Sequence, residues 1–403
     1  MPSPPTYPGV YTEEVPLGAC TITAAPTSIT ALIGVAGDGP MHTPVKVTSF
    51  TEFVRQYGAL ASPFELGFAV RAFFGNGGKQ ALIVRVGKSS PGGPAIVLTG
   101  SRTDKTGFYA LEKTEQFNLL CLTSTVAGAD VPLEVYQEAM AYCQERRAML
   151  LMDAPTEWGT SPTGTVDHIV DRFEQSGLTR AVGGKNAMIY FPRILVDDPL
   201  GSGGPRTIGP CGAAAGILTR IDETRGVWKA PAGTDATLVG VRELQVQLTG
   251  EDYGLLSRRG INCFRKLSDG GFVVWGARTL EGADTLVSEW KYVPVRRCAL
   301  FLESSIAEGL KWVAFEPNEE PTWAKIRSSA RGFLNSLFRQ GAFLGQKPSE
   351  AFFVKCDQET TTNADVVQGI LNVLIGFAPL KPAEFVIIRI QLKTGGRKDG
   401  AIA

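Results

Sequence analysis

Val86-Gly87-Lys88-Ser89 carries the Gly-Lys-Ser ending of a phosphate-binding loop, placed after a strand-like run. The first glycine of that motif falls on Leu82, and Ser90-Pro91-Gly92-Gly93-Pro94 cannot open the helix whose N-terminus would hold phosphate. A plain loop is the better reading. Leu150-Leu151-Met152-Asp153 resembles a strand ending in a magnesium-binding acid, but without the loop it reads as a solvated or capping Asp153. Gly209-Pro210-Cys211-Gly212, leading into Ala213–Gly216, lacks the G-x-G-x-x-G spacing of a dinucleotide turn, so close helix packing accounts for it.

General bases are scarce. His42 stands in a Gly/Pro loop and reads as a surface residue; His168, between Asp167 and Asp171, reads as part of an exposed helix face. There is no Gly-x-Ser-x-Gly elbow. The acid pairs Glu13-Glu14, Asp197-Asp198 and Glu319-Glu320 fall in loops or arms where solvation explains them. Cys20, Cys121, Cys143, Cys211, Cys263, Cys298 and Cys356 form no C-x-x-C pair and read as reduced, mostly buried thiols. We expect no catalytic, cofactor-binding or metal-ligating residues and no cofactor.

The elements that would have to position any site are those of a core-forming chain of 403 residues, 44% hydrophobic and 20% charged. Lys+Arg and Asp+Glu both number 40, which gives no electrostatic reason to expect nucleic acid or an anionic membrane. The N-terminus has neither the basic nor the apolar region of a secretory signal, and no apolar run reaches the roughly 18 residues that span a bilayer. A soluble protein made in the cytoplasm, without membrane insertion, is expected.

Ser28–Val35 reads as a strand, Ser49-Phe50-Thr51-Glu52 as a capping box opening a helix that ends at Gly58, Pro63–Phe74 as a second helix and Gln80–Val86 as a strand. A short β stretch is expected to about Tyr109. Strands follow at Phe117–Leu122, Ala148–Met152 and Ala187–Phe191, with helices near Pro132–Arg146, Val166–Gln175 and Cys211–Asp222. This alternation predicts an α/β core with a largely parallel sheet flanked by helices. Trp323, Ile326, Ala330, Phe333, Leu334, Leu337 and Phe338 share one arc of a further helix, with Thr322 expected as its N-cap. Lys325, Arg331 and Arg339 take the opposite side, a solvated face or a docking surface for an acidic partner.

Both ends differ from this pattern. Pro4, Pro5, Pro8 and Pro16 make the first 20 residues an extended arm with a short strand near Val10–Val15. Ile388-Arg389-Ile390-Gln391-Leu392-Lys393 alternates as a strand with no hairpin neighbour, and an unpaired strand invites pairing with another chain.

Tyr7-Pro8-Gly9-Val10-Tyr11-Thr12-Glu13-Glu14-Val15 is similar to the opening of contractile tail sheath proteins, as is Arg71-Ala72-Phe73-Phe74-Gly75-Asn76-Gly77-Gly78. The second half resembles them further in Gly226–Gly233, Gly260-Ile261-Asn262-Cys263, Val274–Thr279, Trp290–Val293 with Arg296-Arg297, Phe315–Asn318, Phe353–Asp357, Gly376–Pro379 and Pro382–Phe385. The resemblance implies a structural subunit rather than an enzyme, polymerising as stacked hexameric rings around an inner tube within a phage tail or contractile injection particle. Its implied partners are itself, the inner tube protein, and baseplate and terminator or cap proteins, without direct nucleic-acid contact. It implies strand exchange through Tyr11, Glu13 and Val15 at one end and Val386, Ile388, Ile390 and Leu392 at the other. For the tube contact it leads us to Lys325, Arg331 and Arg339, or to the segment around Asp365 and Gln368. The expected divisions are an arm over 1–24, core over 25–88, a short β insertion over 89–110, an α/β part over 111–225, a C-terminal sheath core over 226–378 and a strand arm over 379–403. The alternative is an α/β nucleotide-binding protein or enzyme.

Overall fold

Strands that are apolar at every position are satisfied only when both faces of their sheet are covered. The computed structural model describes residues 21–62, 64–87, 97–125, 128–160, 166–201, 204–314 and 316–382, and its central sheet meets that condition. The chain opens with β1 (Thr30–Val35), β2 (Val45–Val47), α1 (Phe50–Tyr57), α2 (Leu66–Gly75) and β3 (Ala81–Gly87). Next come β4 (Leu119–Leu122), α3 (Leu133–Glu145), β5 (Met149–Asp153), α4 (Val166–Gln175) and β6 (Ala187–Phe191). A small antiparallel excursion, β7 (Ile194–Asp197) and β8 (Pro205–Ile208), precedes α5 (Cys211–Arg225) and the short β9 (Thr237–Leu238) and β10 (Glu243–Leu244). After α6 (Gly250–Arg258), β11 (Ile261–Lys266) and β12 (Phe272–Trp275), the chain builds a C-terminal body. It holds α7 (Val293–Gly309), α8 (Glu320–Arg339), α9 (Pro348–Ala351), β13 (Phe352–Lys355), α10 (Asn363–Val367) and β14 (Leu374–Phe377).

The main sheet has nine strands in the order β2-β3-β1-β4-β5-β6-β11-β12-β9. Neighbours from β3 to β11 are parallel, while β2, β12 and β9 pair antiparallel at its ends. Side chains alternate between two cores. Ile33, Val84, Leu120, Leu150 and Ile189 pack on one face with α3 and α4, and Leu32, Ile83, Cys121, Leu151 and Met188 on the other with α2 and α5. The expected largely parallel sheet flanked by helices is therefore present.

On the second face, Gly212 and Gly216 of α5 lie against α2, where an added Cβ would come within 2.3 Å of the Ala69 and Phe73 carbonyl oxygens. The glycines of the 209–216 stretch thus serve helix packing. Six of the seven cysteines fall in the described residues, and all six are free and buried.

Two local expectations are corrected. Among the described residues of 89–110 there is no strand; residues 97–106 form turns, and a 3-10 helix runs over Gly107–Lys113. The reason is tertiary: Phe108 N–H donates to Leu98 O (2.8 Å), and Leu98, Phe108 and Leu111 are drawn into the first core beside Phe117 and Tyr142. The long helix α8 begins at Glu320 with Glu319 as N-cap, not at Thr322, because Pro321 is accommodated in the first turn, where its missing N–H costs nothing. Thr322 is buried instead.

Candidate functional site

In open α/β sheets a ligand sits beyond the carboxyl ends of the strands where their order reverses, here between β1 and β4. That notch is filled by the chain itself. Thr123 lies against Gly34 so closely that a Cβ there would be 2.0 Å from its Oγ1, and its hydroxyl donates to Ile33 O (3.1 Å). The loop after β1 is held by the Arg85 guanidinium, which donates to the Gly39 and Gly87 carbonyls. His42 binds locally too: its Nδ1 accepts from Gly107 N–H (3.1 Å), and burial with Lys113 nearby lowers its pKa. Of the phosphate-loop motif, Lys88 and Ser89 lie outside the described residues.

Further along the same edge, Asp153 Oδ1 accepts from the Cys211 N–H (2.7 Å) and so caps α5, where the macrodipole favours a carboxylate. Arg193 pairs with Asp130 (2.6 Å), which also accepts from Thr156 N–H and hydroxyl. Glu65 stands beside them. Burial lifts its carboxyl to about 7, with Asp153 and Asp130 adding to the rise and Arg193 and Arg206 opposing it. Burial raises Asp153 as well. The Asp153–Cys211 bond and the contacts of Arg193 with Asp130 and the Ala154 carbonyl tie the end of β5, the segment after β6 and α5 together. Among the described residues, no group of three His, Cys, Asp or Glu side chains could hold a metal ion. His168 is half-buried rather than fully exposed, with its Nδ1 shielded from solvent.

The C-terminal body presents a different kind of surface. β13 and β14 form a two-stranded antiparallel sheet whose inner face packs Val354 against Phe333, Leu334 and Leu337 of α8. Its outer face leaves Phe353 50% and Leu374 52% exposed. A pair of strands this short is marginal alone; Arg331 and Arg327 of α8 donate to the Val354 and Cys356 carbonyls along β13, and Leu344 N–H donates to Ala378 O (2.9 Å) at the end of β14. Both chain ends lead to this body. Ile22 packs in the same cluster as Phe301, Leu302 and Val354, and Ala25 N–H donates to Ser305 Oγ of α7 (2.9 Å). At the other end, Leu380, Lys381 and Pro382 line a cleft of about 890 Å³ bounded by α6, the end of β12 and the C-terminus of α8. Inside that cleft Arg265 stacks between Tyr253 (5.2 Å) and Trp275 (4.7 Å).

The residues that carry the sequence resemblance join these parts. Asn262 on β11 donates to Ile189 O and Arg278 O and accepts from Arg278 N–H, so one buried amide closes the sheet against the 277–284 turn. Arg278, 1% exposed, pairs with Asp284 (2.8 Å). Arg296 donates to Asn186 Oδ1 (3.1 Å) and lies over the Trp290 ring (4.8 Å). Arg297 forks onto Asp222 (2.8 and 2.6 Å), and Thr27 donates to the same carboxylate (2.7 Å). The α7 arginines therefore fasten the C-terminal body and the N-terminal lead-in to the sheet.

Of the expected contact residues, Lys325, Arg331 and Arg339 are exposed on α8 but not gathered: Lys325 and Arg339 are about 21 Å apart along the axis at 1.5 Å per residue. Arg331 reaches the Val354 carbonyl (3.4 Å). Asp365 closes a capping box with Thr362 at the start of α10, and Gln368 is that helix's C-cap. Tyr11, Glu13, Val15, Val386, Ile388, Ile390 and Leu392 lie outside the described residues. Sequence reasoning missed Arg327, which donates to Cys356 O; its i, i+4 spacing from Arg331 on α8 was the available signal.

Residues 287–393 match the family model of the phage tail sheath C-terminal domain. The tail sheath protein of Salmonella phage ViI is 28% identical over 178 residues, 44% of this chain, and the match spans about a quarter of that relative's length. The sheath of an extracellular contractile injection system, PVC, in its contracted state is similar over 98% of this chain and 99% of its own, at 26% identity and a TM-score of 0.75. The contracted helical sheath of the anti-feeding prophage gives 27% identity and a TM-score of 0.73 over 96% of this chain and 99% of its own. A sheath tail protein from Listeria innocua, 12% identical with a TM-score of 0.56 over 89% of this chain and 96% of its own, shares the fold.

Proposed function

Because this chain belongs to the contractile tail sheath family, we propose that it is a structural sheath subunit that polymerises around an inner tube and contracts to drive that tube through a target envelope. The observation that carries the reading is the end-to-end correspondence with contracted injection-system sheaths, which covers the sheet and the C-terminal body together. The subunits assemble as stacked hexameric rings, nucleated at a baseplate and closed by a terminator or cap protein. The particle is a phage tail or a contractile injection device, and the subunit is made in the bacterial cytoplasm.

Neighbouring copies are tied by strand exchange at the β13–β14 sheet, using Tyr11, Glu13 and Val15 from one end and Val386, Ile388, Ile390 and Leu392 from the other. Two features support this: the sheet has only two short strands among the described residues, and the lead-ins at Ile22 and Pro382 both run to the C-terminal body. Contraction would draw its free energy from new interfaces formed between copies. A standard interface buries roughly 1,600 Å², and a few kcal/mol per subunit, summed over a long sheath, suffices without nucleotide or metal.

Negative-stain electron microscopy of the purified chain, alone and with tube protein, tests the reading. Wide hollow tubes with helical striations are expected, and a chain lacking Phe385–Ala403 should stay folded and dispersed. Intact tubes from that deletion would sink the strand-exchange mechanism, and dispersed full-length subunits even on tubes would sink the sheath role.

A further inference from the structure

The cleft between α6, the end of β12 and the C-terminus of α8 is one-sided in charge. Arg225, Lys229, Arg265 and Lys381 line it, and among the described residues no Asp or Glu does. Asp235 stands behind the first two, 2.6 Å from Arg225 and 3.9 Å from Lys229, and offsets one charge. Arg265 and Lys381 have no carboxylate within ion-pair distance among the described residues. At about 890 Å³ the cleft falls within the roughly 300–1,000 Å³ of ligand sites.

The hairpin of β11 and β12 places its central cation. Alternation sends Ile261 and Cys263 of β11 into the core, and Arg265, two residues on, leaves the core on the same face. There it meets Trp275, which pairs with Cys263 across the hairpin and is its diagonal neighbour. Tyr253 of α6 covers the guanidinium as well, its ring held by a hydroxyl that donates to Phe264 O (3.3 Å). The two rings leave the N–H edge of Arg265 free, and no described group accepts from it. A guanidinium is weakly hydrated, stacks on aromatic faces and meets a carboxylate with two parallel N–H···O bonds.

We propose that this cleft binds an acidic peptide segment of another protein, with Arg265 forking onto one carboxylate and Lys229 and Lys381 meeting its neighbours. Four cations against one offsetting acid suit a short run of carboxylates. Trp275, 40% exposed, and Leu380 and Pro382 supply an apolar wall for the rest of the segment. A nucleic acid fits less well, because its affinity rests on many phosphate contacts along a longer basic track. The site does not depend on the sheath reading.

The test titrates dilute full-length protein into fluorescently labelled hexaglutamate and hexaglutamine and follows anisotropy. Hexaglutamate should bind in preference to hexaglutamine and weaken as salt is added. Arg265→Gln/Lys381→Gln should weaken it about tenfold, and Lys381→Gln alone, which changes only an exposed side chain, about threefold. Arg265→Lys keeps the charge, loses the fork and should fall between wild type and the double variant. Matched thermal unfolding checks that the Arg265 variants fold. Lys46→Gln/Arg71→Gln removes two exposed cations elsewhere and should change nothing. An equal loss there reduces the effect to bulk charge and overturns the site, as does equal binding by wild type and the cleft variants. Hexathymidylate bound more tightly than hexaglutamate, and lost in the same variants, makes the ligand a phosphate chain. Hexaglutamate bound only after removal of Phe385–Ala403 makes the chain's own end the occupant, and loss of tubes in Lys381→Gln makes it a second copy. Each of these three results overturns the assignment to another protein. Normal tubes from every cleft variant leave the sheath reading standing, whichever way the peptides fall.

Discussion

At the scale of single residues, buried ionic groups decide how the parts hold together. Arg297 and Asp222 are 3% and 4% exposed, and their fork joins α7 to α5 while Thr27 shares the carboxylate. Removing one partner of such a pair strands the other's charge, which costs about 3–5 kcal/mol. Asp222→Ala should lower the urea midpoint accordingly; a variant as stable as wild type would mean that water already reaches Arg297. Glu65 gives a pH signature. Its carboxyl holds a proton in the folded protein up to about 7, whereas the unfolded chain releases it near the ordinary 4.5. Between those values the native state binds more protons, so stability falls as pH rises, with a ceiling of about 1.4 kcal/mol per pH unit for one proton. Asp153, also raised by burial, acts in the same direction. Glu65→Gln should flatten the decline in urea midpoint between pH 5 and 7; an unchanged slope would assign it to Asp153 alone.

At the scale of elements, the packing of α2 on α5 is set by the absence of side chains. Gly216→Ala would press a methyl group to 2.3 Å from the Phe73 carbonyl oxygen, a fixed backbone atom, and should cost about 1–3 kcal/mol by chemical denaturation. A neutral outcome would show that the helices separate freely. This contact was legible in the sequence, because Gly209–Gly216 had no phosphate-binding spacing and a packing reading remained. The parallel strands were legible for a related reason: β1, β4, β5 and β6 are apolar at nearly every position, as strands covered on both faces must be. The stretch over 97–113 was not, because Leu98, Phe108 and Leu111 reach the core from turns and a 3-10 helix that have no two-residue period. The N-terminus of α8 was displaced by one turn because Thr322 has capping chemistry, while Pro321 decides where the helix starts. The arginines on the β13 edge were invisible for a deeper reason. Their acceptors are main-chain carbonyls more than 20 residues away, and no side-chain pattern records those.

At the scale of the whole molecule, the sheet and the C-terminal body are fastened through Asn262, Arg278, Arg296 and Arg297. On the proposed sheath reading, contact with a tube would fall to exposed features of the C-terminal body. Lys325 and Arg339 on α8 are the first choice, Arg331 being engaged at the β13 edge, and Asp365 with Gln368 on α10 the second. Lys325→Glu/Arg339→Glu should reduce co-sedimentation of subunits with tube protein while leaving the melting temperature within a degree or two. Full co-sedimentation would move the contact to α10, where Gln368→Lys is the matching test.

The paired edges of β13 and β14 have one more consequence. If each copy gives two strands to neighbours and receives two at this sheet, as proposed above, donors and acceptors balance within every subunit. Adding a copy uses one set and restores an identical one, as in any head-to-tail contact whose rotation does not close. Growth by this rule has no preferred size. On that reading the length of the finished object would be a property of whatever it grows along and whatever stops it, and the subunit would act as a repeating stitch rather than a ruler.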